Sequence, residues 1–286
     1  MNNKPTTREE YLKRINLLTD YINGHLDEEL DLNTLAERCN FSPYHFHRIA
    51  KAFLGEPLGA HINRLRVENA ARTLRYTDNS VQEIAFSVGY DSPSSFTKVF
   101  NQYYGISPTE FRNNKNFIIM QRAIINTELN LKAPKILELE DKNAIYIRVM
   151  GNYSELDFGG TWSRLWGCIK EQKLYSAGIE HYAIYHDDPQ ITETEKLRTD
   201  ICLVIRKPAI PQGEIGVKTI QGGKYAVFLY QGSYEHLGAV YDTIFSRWLP
   251  ESGFALRNSP CMEKYINNPN TTVPEKLKTE IYVPVE

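Results

Sequence analysis

The chain has 286 residues, 42% hydrophobic and 24% charged, with a formal net charge of −2. That composition is globular, excludes a disordered chain, and the length suits two domains better than one core. Apolar runs are short, Phe117 to Met120 for example, so no bilayer-spanning segment and no membrane partner are expected.

The N-terminus, MNNKPTTREEY, lacks the apolar core of a signal peptide, so the expected compartment is the cytoplasm. Cys39, Cys168, Cys202 and Cys261 are scattered without a C-x-x-C pair. They read as reduced, mostly buried thiols, and neither a metal nor a cofactor is expected. The acids cluster early, at Asp27, Glu28, Glu29 and Asp31. From Ser42 to Arg75 the balance turns positive. Arg48, Lys51, Arg64, Arg66, Arg72 and Arg75 stand against Glu56 and Glu68, a local charge of 6 − 2 = +4.

A first internal repeat lies within residues 30–112. SPYHFHRIAKAFLG (42–55) recurs as SPSSFTKVFNQYYG (92–105), an offset of 92 − 42 = 50. The helical patterns ahead of them align Ala36 with Ala85, an offset of 85 − 36 = 49, so the two turns differ by one residue. Ser80 and Glu83 form a capping box, and Ser42-Pro43 and Ser92-Pro93 set an N-cap before proline at the first helical position. Phe46, Ile49, Ala50 and Phe53 share one helical face, as do Phe96, Val99, Phe100 and Tyr103. The opposite faces carry Tyr44, His47, Arg48, Lys51 and Ser94, Thr97, Lys98, Asn101. Each unit therefore reads as a helix-turn-helix, an all-α pattern. Between them Leu58 to Arg75 reads as one amphipathic helix that spaces the two units.

A second, unrelated repeat covers roughly residues 135–286. AIYHDDPQITETEKLRTDI (183–201) recurs as EKYINNPNTTVPEKLKTEI (263–281), an offset of 269 − 189 = 80 between the prolines. Upstream, Gly151 aligns with Gly232 at 81. A helical pattern follows each glycine, with Trp162 and Trp166 in one copy and Trp248 in the other. Each half reads strand, strand, helix, strand, strand, so the expectation is an α+β domain with an internal two-fold repeat, sheet on one side and helices on the other. The expected division is 1–115 for the double helix-turn-helix, 116–132 for a connector, and 133–286 for the α+β domain.

The segment IAFSVGYDSPSSFTKVFNQYYGISPTEFR (84–112) resembles the signature of the AraC/XylS family of transcription regulators, and that resemblance spans about residues 10–112. The second half resembles the GyrI-like effector-binding domain of several multidrug-sensing regulators. HDDP (186–189), GGKYAVFLYQGSY (222–234), WLPESGF (248–254) and EIYVPV (280–285) carry the likeness. Many AraC-type chains place the sensor first, whereas this one places the DNA-binding region first, so their dimerisation rules do not transfer.

The first resemblance implies double-stranded DNA, a promoter or operator, as partner, and RNA polymerase as well if the protein activates. Tyr44, His47 and Arg48 match reading positions of the first recognition helix. Pro93, Ser94, Ser95 and Lys98 match those of the second, and Lys51 is a phosphate candidate. Arg48 can offer two donors to a guanine edge. For Lys51, Arg64, Arg72 and Arg75, phosphate contact and plain solvated charge are equally good readings. Recognition helices in successive major-groove turns lie about 34 Å apart, so one chain would span roughly twenty base pairs.

The second resemblance implies a small-molecule effector, lipophilic or cationic. The surplus of aromatic residues suits a flat apolar ligand, with Tyr153, Trp162, Trp166, Tyr230 and Tyr265 as lining candidates. Glu263 stands where the first copy has Ala183, at the start of EKYINNP, and GyrI-like domains carry a pocket glutamate at this place. The alternative for Glu263 is an exposed strand-end acid. His181 and His186 read as surface histidines on opposite sides of a strand. Asp200 and Glu280 occupy matching places and read as structural. Other functions remain open for this half: a small hydrolase with Glu263 as base, or a module that binds another protein.

Overall fold

The computed structural model describes residues 7–41, 43–114, 131–189, 192–257 and 259–286. The expected connector at 116–132 falls almost wholly outside them, as does the Ser42 cap. The chain divides into two compact units, one helical and one built on a sheet.

The helical unit contains α1 (Thr7–Gly24), α2 (Leu32–Arg38), α3 (Pro43–Leu54), α4 (Leu58–Tyr76), α5 (Val81–Ser87), α6 (Pro93–Tyr104) and α7 (Pro108–Asn113). Local chemistry sets the boundaries. Asp31 caps α2 by accepting from the Thr34 amide at 2.9 Å. Ser80 and Glu83 close the capping box of α5, and Ser107 with Glu110 repeats it at α7. Ser92 caps α6 ahead of Pro93. The turn inside each helix pair needs one left-handed residue, supplied by Asn40 (φ 52°) in the first and Gly89 (φ 81°) in the second. A Cβ on Gly89 would run into the Leu26 carbonyl oxygen and the Arg66 guanidinium, so only glycine fits there.

The buried stripes follow their spacing except at one position: Tyr104 rather than Tyr103 closes the stripe of α6, and Tyr103 is 41% exposed with its hydroxyl donating to the Ala60 carbonyl. Phe46 and Ala50 pack with Leu18, Ile22 and Leu35 in one core, while Phe96, Phe100 and Phe111 meet edge to face at 5.4 Å in the other. Arg64 departs from both readings of the sequence. It is only 2% exposed, its Nε donates to Glu56 at 2.9 Å, and its Nη1 pairs with Glu68 at 3.1 Å. Arg66 donates to the carbonyls of Leu26 and Glu28 at 2.9 and 2.6 Å, and Arg75 lies over the Phe111 ring. Part of the local positive excess therefore holds the helices together, and Arg64 is enclosed away from any phosphate.

The second unit contains β1 (Lys135–Leu139), β2 (Lys142–Met150), α8 (Phe158–Glu171), β3 (His181–Tyr185), β4 (Arg198–Val204), β5 (Ile215–Ile220) and β6 (Gly223–Gln231). It continues with α9 (Leu237–Thr243), a π-helical turn (Ile244–Trp248), α10 (Leu249–Ser252), β7 (Cys261–Tyr265) and β8 (Lys278–Pro284). All eight strands form one antiparallel sheet in the order β1-β6-β8-β7-β3-β4-β2-β5. Exchanging β1 with β5, β2 with β6, β3 with β7 and β4 with β8 leaves that order unchanged. The exchange centre lies between β3 and β7, where Ala183 sits directly opposite Glu263.

Directly paired residues share a face of the sheet. One row runs Ile147, Ile201, Ala183, Glu263, Ile281, Phe228 across six strands. This is the helix-covered face: Ile147 and Ile201 pack with Leu165 and Ile169 of α8, and Phe228 and Ile281 with Leu237 and Val240 of α9. Five of the six side chains are the apolar groups such a layer demands. The sixth is a carboxylate. Among the described residues no helix is long and apolar enough to cross a membrane.

Candidate functional site

Two places in the molecule are candidates for function. The first is the polar face of the two helix pairs. α3 turns Phe46 and Ala50 inward, which leaves His47, Arg48 and Lys51 exposed on its other side. Tyr44 belongs to α3, but its side chain lies outside the described residues. α6 turns Phe96, Phe100 and Tyr104 inward and leaves Ser94, Ser95 and Lys98 exposed. The Ser95 hydroxyl is engaged, accepting from Ser92 Oγ at 3.0 Å, so it serves the cap as well as the surface. Asn101 and Gln102 extend the exposed stripe. Each helix thus presents polar donors along a face free of its own core, the geometry that a major groove admits.

The second place is the centre of the sheet. Glu263 is 2% exposed. It lies in the middle of β7 rather than at a strand start, because the strand begins at Cys261, so the exposed strand-end reading is wrong. The Tyr265 hydroxyl donates to Glu263 Oε2 at 2.6 Å, and the Tyr185 hydroxyl to the same oxygen at 3.0 Å. These two hydroxyls are 2.9 Å apart. Tyr241 of α9 faces the same carboxylate. Burial pushes the Glu263 carboxyl above the usual carboxylate range, and the tyrosine hydroxyls offset this only in part. No lysine, arginine or histidine among the described residues figures in the balance.

The tyrosines follow the two-fold exchange. Tyr185 and Tyr265 are repeat-mates, 265 − 185 = 80, and so are Tyr153 and Tyr234, 234 − 153 = 81. Tyr153 packs edge to face on Tyr185 at 4.8 Å, and Tyr234 on Tyr265 at 5.4 Å. Trp162 and Phe158 of α8 close on Tyr265 from the helix side, at 5.1 and 6.1 Å. Asp157 caps α8 through the Gly160 amide at 2.8 Å, which fixes where these two rings begin. The result is a box of aromatic rings, symmetric in its tyrosines, around one asymmetric carboxylate.

The other buried acid of the sheet is treated differently. Asp200 is fully buried. It accepts from Arg148 Nε and Nη2 at 2.7 and 2.8 Å and from Lys218 at 2.5 Å, and His186 Nε2 lies 2.8 Å away. Burial alone would raise its carboxyl, but Arg148, Lys218 and His186 outweigh it and hold it well below the usual range. Beside it Asp187 pairs with Arg198 at 2.5 Å.

Of the expected lining residues, Tyr265 touches Glu263, Trp162 touches Tyr265, and Tyr153 reaches the carboxylate through Tyr185. Trp166 lies one turn further along α8 and donates to His181 Nε2 at 3.2 Å. Tyr230 packs in the core beneath α9, its hydroxyl donating to the Ser233 carbonyl at 3.2 Å. Both stand back from the carboxylate because their rings fill the helix–sheet layer. Tyr185 and Tyr234 belong to the aromatic surplus of this half but are not among the lining candidates, and Tyr241 is in neither group. The repeat itself points to the first two, as the mates of Tyr265 and Tyr153. Neither histidine is a surface residue: His181 packs against the rings of Trp162 and Trp166, and His186 meets Asp200. They do lie on opposite faces. Glu280 and Asp200 share a place but not a role, since Glu280 accepts from Tyr282 at 2.7 Å and stands 4.0 Å from Lys264. Among the described residues no group of His, Cys, Asp and Glu is placed to hold a metal ion.

Comparison with known proteins matches both parts of the chain to families. Residues 132–286 match the GyrI-like small molecule binding domain, and residues 35–114 match a helix-turn-helix domain. The right origin-binding protein of Escherichia coli K12 is 23% identical over 290 residues, covering 93% of this chain and 95% of its own length. Transcriptional regulator Rob of Salmonella typhimurium is 22% identical over the same span and shares. Among solved structures, the DNA-binding domain of AdpA in complex with a target DNA is 30% identical, with a TM-score of 0.35, covering 35% of this chain and 91% of that one.

Proposed function

The chain belongs to the GyrI-like small molecule binding family, with an AraC-type helix-turn-helix domain ahead of that fold, and from this premise we propose that its effector is a lipophilic cation seated on Glu263. The protein is a DNA-binding transcription regulator.

The observation that carries the reading is a carboxylate buried in the middle of an apolar row, lined by tyrosine hydroxyls and by no cation among the described residues. A buried ion without a counter-charge costs several kcal/mol, and a duplicated fold does not need it, since the mate is alanine. A cationic ligand supplies the missing charge, and the faces of Tyr185, Tyr265 and Trp162 attract the same cation. Tyr153 and Tyr234 back the two hydroxyls that hold the carboxylate. For the ligand to alter transcription it must prefer one state of the protein over another, because equal affinity shifts no population.

On DNA, Tyr44, His47 and Arg48 of α3 and Ser94, Ser95 and Lys98 of α6 form the reading set, and Lys51 contacts phosphate. Arg48, exposed and able to present two donors, carries the strongest single preference. Where the protein activates, RNA polymerase is its further partner, and the cytoplasm is its place of action.

Calorimetry on the full chain tests the effector site with a matched pair of probes, phenethyltrimethylammonium and its neutral tert-butyl isostere. Glu263→Gln is expected to weaken the cation markedly and spare the isostere. Equal losses, or none, would remove Glu263 as the counter-charge. Duplex selection followed by sequencing tests the DNA half. Arg48→Ala is expected to relax one base pair at a cost of about 1–3 kcal/mol, while Lys51→Ala weakens all sequences alike. An Arg48→Ala protein that keeps the full selected motif would contradict the assignment.

A further inference from the structure

Glu263 accounts for one end of a ligand, and the indole of Trp162 accounts for the other. α8 carries two tryptophans a turn apart. Trp166 is satisfied, its Nε1 donating to His181 at 3.2 Å. The Nε1 of Trp162 is buried and finds no acceptor among the described residues. An indole N–H can only donate, and a buried donor left unpaired is unfavourable. Packing alone does not call for it: Phe158, one turn earlier on the same helix and 5.6 Å from Trp162, fills its share of the layer with a plain ring.

The position of this donor gives it meaning. The Trp162 ring stands edge to face on Tyr265 at 5.1 Å, and Tyr265 is the residue whose hydroxyl holds Glu263 at 2.6 Å. The unpaired donor and the uncompensated carboxylate therefore flank one and the same ring. A second group points the same way. Tyr153 donates to the Asp187 carbonyl at 2.8 Å, whereas its repeat-mate Tyr234, also against Tyr265, has a buried hydroxyl with no partner among the described residues. Trp162 and Tyr234 thus each leave a donor without a partner among the described residues, and both rings stand against Tyr265.

We propose that the effector is bipolar, with a cationic centre for Glu263 and, set apart from it, a hydrogen-bond acceptor such as a carbonyl or ether oxygen for the indole N–H of Trp162. This rests on the reading of Glu263 as the counter-charge and narrows it from lipophilic cations in general to cations bearing an acceptor. A bare hydrocarbon cation satisfies the carboxylate but leaves the indole buried and unpaired.

The test compares phenacyltrimethylammonium with phenethyltrimethylammonium, which differ only in a carbonyl replacing a methylene. Binding of both is measured by calorimetry on the full-length wild type, on Trp162→Phe and on Glu263→Gln. Homologous pairs with the carbonyl set further from the ammonium cover the unknown spacing. The wild type is expected to prefer the ketone of at least one pair by about tenfold, the value of roughly one hydrogen bond. Trp162→Phe should abolish that preference while leaving the hydrocarbon cation nearly unchanged. Glu263→Gln should weaken both ions of a pair together and keep their ratio. The ratio within one variant cancels any loss of folded protein, and Trp162→Leu serves if the phenylalanine variant does not fold. A ketone preference that survives the loss of the indole, equal losses of both ions on Trp162→Phe, or a wild type indifferent to the carbonyl in every pair would overturn the proposal while leaving the Glu263 reading standing. If no cation binds the wild type, that reading falls and this one with it.

Discussion

Asp200 and Glu263 are two buried carboxylates in one sheet, and they have opposite surroundings. Asp200 is met by an arginine, a lysine and a histidine from three different segments, and its charge is stabilised where it stands. Glu263 is met by tyrosines, which hydrogen-bond a carboxylate without neutralising it. A fold that can compensate one acid so fully has the means to compensate the other. That it does not do so is the contrast on which the proposed role of Glu263 as counter-charge to a ligand rests.

The comparison breaks most visibly on stability. Asp200→Ala leaves Arg148 and the half-buried Lys218 around a lost partner and is expected to cost about 3–5 kcal/mol, the usual result of removing one side of a buried pair. Chemical denaturation of the full chain measures it, and a near-neutral result would mean that Asp200 is not the structural member of the comparison. Glu263→Gln should do the reverse, ranging from neutral to about 2 kcal/mol more stable at neutral pH without ligand, because it removes a buried charge and keeps the shape. A clear loss of stability would indicate that the carboxylate is structural after all.

The same contrast appears as two pH dependences of opposite sign. Asp200 is held below its ordinary value of 3.8, so the stability it contributes is present above that value and is lost as the pH falls toward the folded-state one. Glu263 is held above its ordinary 4.5. Its favourable contribution is complete below that value and is lost as the pH rises through the folded-state one. The advantage of Glu263→Gln over the wild type should therefore grow with pH, and a denaturation series across the acid-to-neutral range reads it. A constant difference would contradict the burial of an ionisable group at this position. The smallest expected effect sharpens the role of the tyrosines. Tyr265→Phe removes one donor to the carboxylate, should cost about 1 kcal/mol or less, and should raise the Glu263 carboxyl further, detectable as a shift of that same pH dependence to higher pH.

Much of this was legible in the sequence where the cause is local. The Ser80–Glu83 box, the Pro93 start of α6 and the inward stripes of α3 and α6 depend on residues within a turn of one another. The asymmetry at Glu263 was legible too, because aligning the two copies places it against Ala183 without any knowledge of contacts. What the sequence hid depends on register across strands. Arg148 lies 52 residues from Asp200 and Lys218 lies 18 away, and only the strand pairing brings them together. For the same reason Arg64, an ordinary solvated charge on a helical wheel, proves to be enclosed by Glu56 and Glu68. Tyr185 and Tyr234 were legible as part of the aromatic surplus, and the repeat alignment pairs them with Tyr265 and Tyr153, but a single tyrosine is so often plain core that nothing local raised these two above the rest.

Thermal melting of the full chain in a four-way cycle tests the central claim most directly: wild type and Glu263→Gln, each with and without saturating phenethyltrimethylammonium. If the ligand compensates a buried charge, substitution and ligand relieve the same strain, so their effects on the melting temperature will not add. The cation should raise the wild type substantially and Glu263→Gln hardly at all. An equal rise in both proteins would show that the cation binds without regard to Glu263, and would contradict the account.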